Sequence, residues 1–242
     1  MVIDKIELSR NTKAMPERNV LIISPHPDDM EIGMGGTAAK LIDSGVDVVS
    51  LVVTDGRRST SVYGLSEDEV ARLRESEVRD AVGILGVEYL ILLGLGDLKS
   101  EENRAHFQKE LRVALKRFKP EEIYMPHPEI DKHPTHRAVS SIALETIKGM
   151  PADELPVRPA IWCYEVWTPF PAYDRIEDIS LQMHLKTAAI DAHKSQIDYK
   201  DYTDGIKGLN RYRAVFDETA GITIMEYAEV FIGLGKAMGD GD

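Results

Sequence analysis

Two short segments of the sequence carry side chains of the types that bind metal ions. Residues 25–29 read Pro-His-Pro-Asp-Asp, and residues 131–136 read Asp-Lys-His-Pro-Thr-His. A catalytic zinc site takes three nitrogen or oxygen ligands and keeps one position open for water, with a separate carboxylate to accept a proton from that water. The two segments hold this set with one acid and one histidine to spare, which predicts one mononuclear metal site.

Simple stereochemistry divides the polar residues of each segment between roles. Adjacent residues on an irregular turn point in different directions, so one of Asp28 and Asp29 is expected to bind the ion while the other faces the water. His133 and His136 lie three apart at a helix start, where only one imidazole is expected to reach the metal. The other would stabilise an oxyanion and protonate a leaving amine.

The surrounding elements predict that both segments lie at one edge of a parallel sheet. A short unbroken apolar run at residues 20–24 precedes the first segment, a strand pattern at 122–126 precedes the second, and helical patterns follow both. Such runs are typical of buried parallel strands, and open α/β sheets carry their chemistry where those strands end.

The rest of the chain predicts the fold class, an α/β protein with a Rossmann-like, mostly parallel sheet flanked by helices. Strand patterns at 46–53 and 89–93 alternate with helical patterns at 66–85 and 101–118, which indicates βαβ units with right-handed crossovers. After residue 149 the rhythm changes to a strand at 161–167 and a helix at 181–196. We expect one domain over 1–242, with a core at about 19–150 and a C-terminal capping region with subunit contacts at about 151–242.

Composition narrows the class of protein. The chain has 242 residues, 43% of them hydrophobic, and a net charge of −12, which argues against nucleic acid and anionic membranes as partners. No signal-peptide pattern or apolar run of membrane-spanning length is present, and the single cysteine, Cys163, forms no internal disulfide. A cytoplasmic location is the default expectation.

These motifs resemble the PIG-L/LmbE-like deacetylases, a zinc-dependent family that removes acetyl groups from N-acetylglucosamine-type sugars. The resemblance covers about residues 19–233: it begins with His26-Pro27-Asp28-Asp29, continues through residues 31–37, 54–56 and 73–77, and ends with residues 192–196 and 227–231. The last two segments are similar to the bacillithiol-pathway and diacetylchitobiose deacetylase branches.

The resemblance implies roles for individual residues. His26, Asp29 and His136 would hold one divalent ion per subunit, zinc by resemblance, although two histidines and a carboxylate also suit iron or another divalent ion. Asp28 would be the general base, and His133 the second imidazole beside the scissile carbonyl.

The resemblance also implies a substrate and a partner. An acetylated amino sugar would be held by Arg74, which grips sugar hydroxyls, and by Asp97. His193 matches a helix that reaches a neighbouring subunit's active site in some oligomeric relatives, which suggests a homo-oligomer, trimeric or hexameric. One departure is notable: Thr135 replaces the acid of the family's usual His-Pro-Asp-His, and Asp131 is a partial substitute.

Two other functions fit the same residues. The metal site would also serve hydrolysis of a different amide or ester conjugate. A non-catalytic Rossmann-like binder of a sugar or nucleotide, with a structural metal, is disfavoured by the extra acid, since structural zinc sites are usually closed by four protein ligands.

Two local patterns have two interpretations each. The glycines at 33–36 favour close helix packing over phosphate binding, and Arg57-Arg58 is either a solvated loop or a site for an acidic substituent.

Overall fold

The computed structural model describes residues 4–5, 18–59, 64–217 and 224–236. Its strands form one sheet, in the order β1-β4-β3-β2-β5-β6-β8-β7. The strands are β1 (Asp4–Lys5), β2 (Asn19–Ser24), β3 (Asp47–Thr54), β4 (Tyr89–Leu95), β5 (Glu122–Pro126), β6 (Ala160–Tyr164), β7 (Arg175–Asp178) and β8 (Ala228–Lys236).

Strand β2 is the point where the direction of winding changes. It pairs in parallel with β3 on one side and with β5 on the other. Strands β3 and β4 continue outward on the first side, and β6 continues on the second. In open α/β sheets, ligands bind at such a switch point, beyond the carboxyl ends of the strands. The two metal-ligand segments follow β2 and β5, the strands that meet there.

Seven described helices cover both faces of this sheet, which confirms the predicted fold class. They are α1 (Asp29–Asp43), α2 (Glu67–Leu85), α3 (Glu101–Phe118), α4 (Pro134–Lys148), α5 (Met183–Asp191), α6 (Lys194–Ile197) and α7 (Tyr202–Phe216). Helices α3 and α4 bury side chains such as Leu111 and Ala143 in one core, while α1, α2 and α5 share the other. None of the described helices is both long and apolar enough to cross a bilayer.

The part after residue 150 both extends the sheet and overlies one face. Strands β6, β8 and β7 lengthen the sheet, with β8 antiparallel to both neighbours. The predicted helix at 181–196 is interrupted, because His193 has φ −81° and ψ 58° and begins the short helix α6. Helix α5 packs on α1 and α2.

Buried charges hold the glycine-containing helix α1. The helix bends at Met34, and the carboxylate of Glu229 accepts hydrogen bonds from the backbone N–H groups of Gly36 (3.0 Å) and Thr37 (2.7 Å). The ammonium of Lys186 lies 2.6 Å from the same carboxylate, and both side chains are fully buried. A Cβ added at Gly33 would lie 2.2 Å from a ring carbon of Tyr164. Gly33 therefore serves close packing, and a protein carboxylate binds the backbone amides just after the bend in α1.

Candidate metal and catalytic site

The two strand-to-helix turns present their side chains at one edge of the sheet. Asp28 is the N-cap of α1, and Asp29 is the first residue inside that helix. His133 is the N-cap of α4, where Pro134 takes the first helical position, so His136 lies within the first turn. Proline suits this position because its φ is already helical and its missing N–H is not needed there.

Three ligand atoms converge on a single point. The Nδ1 atom of His26 lies 3.1 Å from Asp29 Oδ2 and 3.1 Å from His136 Nε2, and Asp29 Oδ2 lies 3.2 Å from His136 Nε2. Zinc bonds of about 2.0–2.1 Å at tetrahedral angles put ligand atoms about 3.3 Å apart. The donor set and its spacing therefore fit a divalent ion held by His26, Asp29 and His136.

The buried carboxylates of this triangle and of Asp131 also favour a bound cation. Burial by itself would lower the pKa of His136, but the carboxylates of Asp29 and Asp131 raise that pKa to about 10. Burial would likewise raise the pKa of Asp29, yet His136 and His26 hold it far below its usual range. A divalent ion supplies the positive charge that a proton otherwise provides, and it leaves His136 neutral as a ligand must be.

His133 lies beside the triangle. Its ring centroid is 4.8 Å from that of His26 and 4.6 Å from that of His136, so the three histidines also form a possible metal-binding group. The ligand atoms of His26, Asp29 and His136 lie within 3.2 Å of one another, whereas those of the three histidines are only within 4.8 Å. The shorter spacing favours Asp29 as the third ligand. Burial and the two neighbouring imidazoles lower the pKa of His133 to about 4. The ring stacks on Trp167 at 6.5 Å with an interplanar angle of 24°.

Asp131 links both histidines of the second segment. Its Oδ2 lies 3.2 Å from His136 Nδ1, and its Oδ1 accepts the backbone N–H of His133 at 2.7 Å. The backbone N–H of Trp167 donates to Oδ2 at 3.2 Å, and the side chain of Asp131 is 1% exposed. A carboxylate behind a ligand histidine fixes the ring so that its other nitrogen faces the metal. Asp131 thus contacts the imidazole of His136 and the backbone of His133, in a chain where Thr135 stands in place of the usual acid.

Asp28 pairs with Arg74 at the wall of the same cavity. Arg74 Nη2 lies 3.0 Å from Asp28 Oδ1, and Arg74 is only 3% exposed. The turn at Gly56, with φ +67°, lies against the guanidinium: a Cβ added there would be 3.4 Å from Arg74 Cζ. The sequence predicted a sugar contact for Arg74; the structure adds an ion pair between Arg74 and Asp28.

A cavity of about 530 Å³ opens over these residues. His26, Asp28, Asp29, His133 and Arg74 line it on the metal side, and Trp167 and Tyr202 supply aromatic walls. Asp97 also lines it, and its Oδ2 accepts a hydrogen bond from Arg58 at 2.6 Å. His193 is placed elsewhere: it is 1% exposed, and its Nε2 lies 3.9 Å from Glu31 Oε2, within the subunit.

The sequence analysis did not predict the role of Glu77, which supports the cavity from outside its lining. Glu77 lies one turn after Arg74 on α2. Its carboxylate accepts hydrogen bonds from the backbone N–H and the hydroxyl of Ser195, both at 2.7 Å. It thereby holds α6, which leads into the cavity residues Tyr199 and Lys200. The spacing of three between Arg74 and Glu77 was the available signal, since it places both on one helix face.

Comparisons with known proteins agree with the site. The family model PIG-L, described as GlcNAc-PI de-N-acetylase, matches residues 21–147. Diacetylchitobiose deacetylase of Thermococcus kodakarensis is 33% identical over 209 residues, covering 81% of this chain and 76% of the relative. A Bacillus cereus protein named as a probable N-acetyl-alpha-D-glucosaminyl L-malate deacetylase 2 is 29% identical, covering 74% of this chain and 84% of the relative.

A solved structure extends this likeness to three dimensions. N,N'-diacetylchitobiose deacetylase from Pyrococcus horikoshii, complexed with its inhibitor MPG, has a TM-score of 0.76 and 29% identity, covering 90% of this chain and 84% of that one. The fold and the site define a metal-dependent hydrolase of acetamido groups. The chain belongs to the PIG-L family of deacetylases.

Proposed function

We propose that this protein removes the acetyl group from an N-acetylglucosamine-type sugar or sugar conjugate by hydrolysis of the amide, with zinc as the ion. The observation that carries the proposal is the convergence of His26 Nδ1, Asp29 Oδ2 and His136 Nε2 within 3.2 Å of one another. The carboxylate that hydrolysis requires outside the ligand set is that of Asp28, which directly precedes Asp29 and lines the same cavity. Two histidines and one carboxylate are a ligand set of known zinc hydrolases.

An ion held there would supply positive charge that polarises the acetyl carbonyl and lowers the pKa of a nearby water. Asp28 accepts a proton from that water, and its contact with Arg74 at 3.0 Å positions the carboxylate at the cavity. His133 faces the cavity, where its imidazole can donate to the carbonyl oxygen as that oxygen gains charge. The proton held by Asp28 is then available to the departing amine.

The aromatic residues of the wall suit a sugar ring. Trp167 stacks on His133 and meets Tyr202 edge-on, with ring centroids 5.8 Å apart. The apolar face of a pyranose packs on such rings while its hydroxyls reach polar groups.

The homo-oligomeric state and the cytoplasmic location stay predictions from the sequence.

The test is an Asp28→Asn variant of the zinc-loaded protein, with acetate release measured from N-acetylglucosamine and its conjugates. Loss of general-base catalysis typically costs 10²- to 10⁴-fold, so we expect that drop in kcat with zinc content unchanged. Glu67→Gln, an exposed acid near the rim whose carboxylate lies 4.0 Å from Arg58, is the matched control and should retain activity. An Asp28→Asn variant that works at the wild-type rate would sink the proposal.

A further inference from the structure

The wall of the active-site cavity has a charge opposite to that of the protein. The chain as a whole carries a net charge of −12, yet four cationic side chains line the cavity against three carboxylates. The carboxylates are Asp28, Asp29 and Asp97, and each is already engaged: Asp28 with Arg74, Asp29 with the ligand histidines and Asp97 with Arg58. The charge left over is therefore positive.

The remaining cations, Arg58, Lys99 and Lys200, are joined by one chain of contacts along the cavity. Asp97 accepts the backbone N–H of Lys99 at 2.8 Å and a hydrogen bond from Arg58 at 2.6 Å. The next residue, Ser59, donates to Gln196 Oε1 at 3.0 Å, and the backbone N–H of Lys200 donates to the Gln196 carbonyl at 3.1 Å. Lys99, Arg58 and Lys200 thus belong to a single wall, which we call the basic wall.

Within the basic wall, the charges of Lys99 and Lys200 are less neutralised than that of Arg58. Arg58 is neutralised by Asp97 at 2.6 Å and approached by Glu67 at 4.0 Å. In the described parts of the chain, no carboxylate oxygen lies within 4.0 Å of the ammonium of Lys99 or of Lys200. The Lys200 ammonium lies over the ring of Tyr199 at 5.4 Å. Lys99 shares the single carboxylate of Asp97 with Arg58, and Lys200 has no carboxylate beside it among the described residues, so the basic wall keeps positive charge that attracts an anion.

We propose that the substrate is an anionic conjugate: the group attached to the amino sugar carries a carboxylate or phosphate that Lys99 and Lys200 bind. This inference rests on the proposed deacetylase function and specifies its substrate class. The metal side of the cavity takes the acetamido group, so the basic wall receives the part of the substrate beyond the sugar.

The experiment compares kcat/KM for acetate release from four compounds with the zinc-loaded protein. N-acetylglucosamine 1-phosphate and N-acetylglucosaminyl L-malate are the anionic members, one with a phosphate and one with carboxylates. Methyl N-acetylglucosaminide and N,N'-diacetylchitobiose are the neutral members. We expect the anionic members to be preferred, and the better of the two identifies which anion the basic wall takes.

A Lys99→Gln, Lys200→Gln double variant tests the residues. An exposed ion pair contributes a factor of roughly two to five, so the anionic-to-neutral ratio of kcat/KM should fall roughly tenfold. Lys109→Gln, an exposed lysine on α3 across the sheet, is the control and should leave the ratio unchanged. In the wild type the ratio should also fall between 50 and 500 mM NaCl, a measurement that needs no variant.

The outcomes separate the two proposals. Neutral compounds hydrolysed as well as anionic ones, or a ratio unaffected by the double variant, would overturn the anionic substrate while leaving the deacetylase function in place. No acetate release from any of the four, with zinc bound, would overturn both.

Discussion

Glu77 provides the sharpest test of how this fold builds its substrate cavity. Its two carboxylate oxygens each accept a hydrogen bond of 2.7 Å from Ser195, one from the backbone N–H and one from the hydroxyl. The side chain is 6% exposed, so water replaces these bonds poorly. Hydrogen bonds to a charged group contribute about 1.5–3 kcal/mol each. Removing both in Glu77→Ala should lower the free energy of unfolding by about 3 kcal/mol or more.

The Glu77→Gln substitution is more informative because it keeps the shape. The amide oxygen still accepts one of the two bonds, but the charge is lost and the second bond reverses direction, which should cost about 1–2 kcal/mol. Helix α6 then loosens, and with it the cavity residues Tyr199 and Lys200. We therefore expect a KM increase of roughly tenfold with a smaller change in kcat, which corresponds to about 1.4 kcal/mol of lost binding.

Three measurements decide the matter: urea unfolding, the kinetics of acetate release, and amide hydrogen exchange over residues 193–202. Exchange should accelerate there because the Ser195 amide is the donor to Glu77. Glu75→Gln, two residues earlier on α2, is the matched control, since Glu75 is an exposed acid paired with Arg79 at 2.8 Å and such pairs contribute little. A Glu77→Gln variant indistinguishable from Glu75→Gln in exchange and KM would refute the reasoning.

Three further predictions follow from the site and its supports. Asp131→Asn should weaken zinc affinity by roughly 10- to 100-fold, because the carboxylate behind His136 is lost; a competitive chelator titration measures this, and wild-type affinity would contradict it. Gly33→Ala should destabilise the protein by about 1–3 kcal/mol in urea unfolding, since the new Cβ would lie 2.2 Å from Tyr164; an unchanged midpoint would show that the helix shifts freely. Removal of metal by a chelator should lower the Tm, and zinc at 100 times its Kd should restore about 2.7 kcal/mol; equal melting with and without zinc would mean that no ion binds.

The site was accessible from the sequence because its geometry is local. His26 and Asp29 lie on one strand-to-helix turn, so the end of an apolar run and the start of a helix predicted that one of the two aspartates would face the ion. The choice of Asp29 over Asp28, and of His136 over His133, came from the family resemblance and stays a prediction. The pairing of β2 with β5 had to be assumed, and the strand patterns that precede both segments supported it.

The remainder depends on contacts between distant parts of the chain. The helix predicted at 181–196 breaks because Glu77, 118 positions before Ser195, takes the Ser195 N–H that a continuing helix would use. Lys186 is fully buried, contrary to its polarity, because Glu229 lies beside it. A pattern within a dozen residues cannot contain both partners of such a pair. The sequence alone therefore predicted neither the buried ion pair nor the basic wall.

The Lys186–Glu229 pair has a consequence for how the protein can be divided. The PIG-L model matches residues 21–147, which include all of helix α1. The carboxylate that holds the Gly36 and Thr37 amides comes from β8, however, and its counter-ion comes from α5. Cutting the chain near residue 150 would remove both charges and leave the amides of α1 without their acceptor. The region that carries the proposed metal ligands therefore depends on contacts from the later part of the chain, and transplanting it as a minimal module would require new partners for the middle of helix α1.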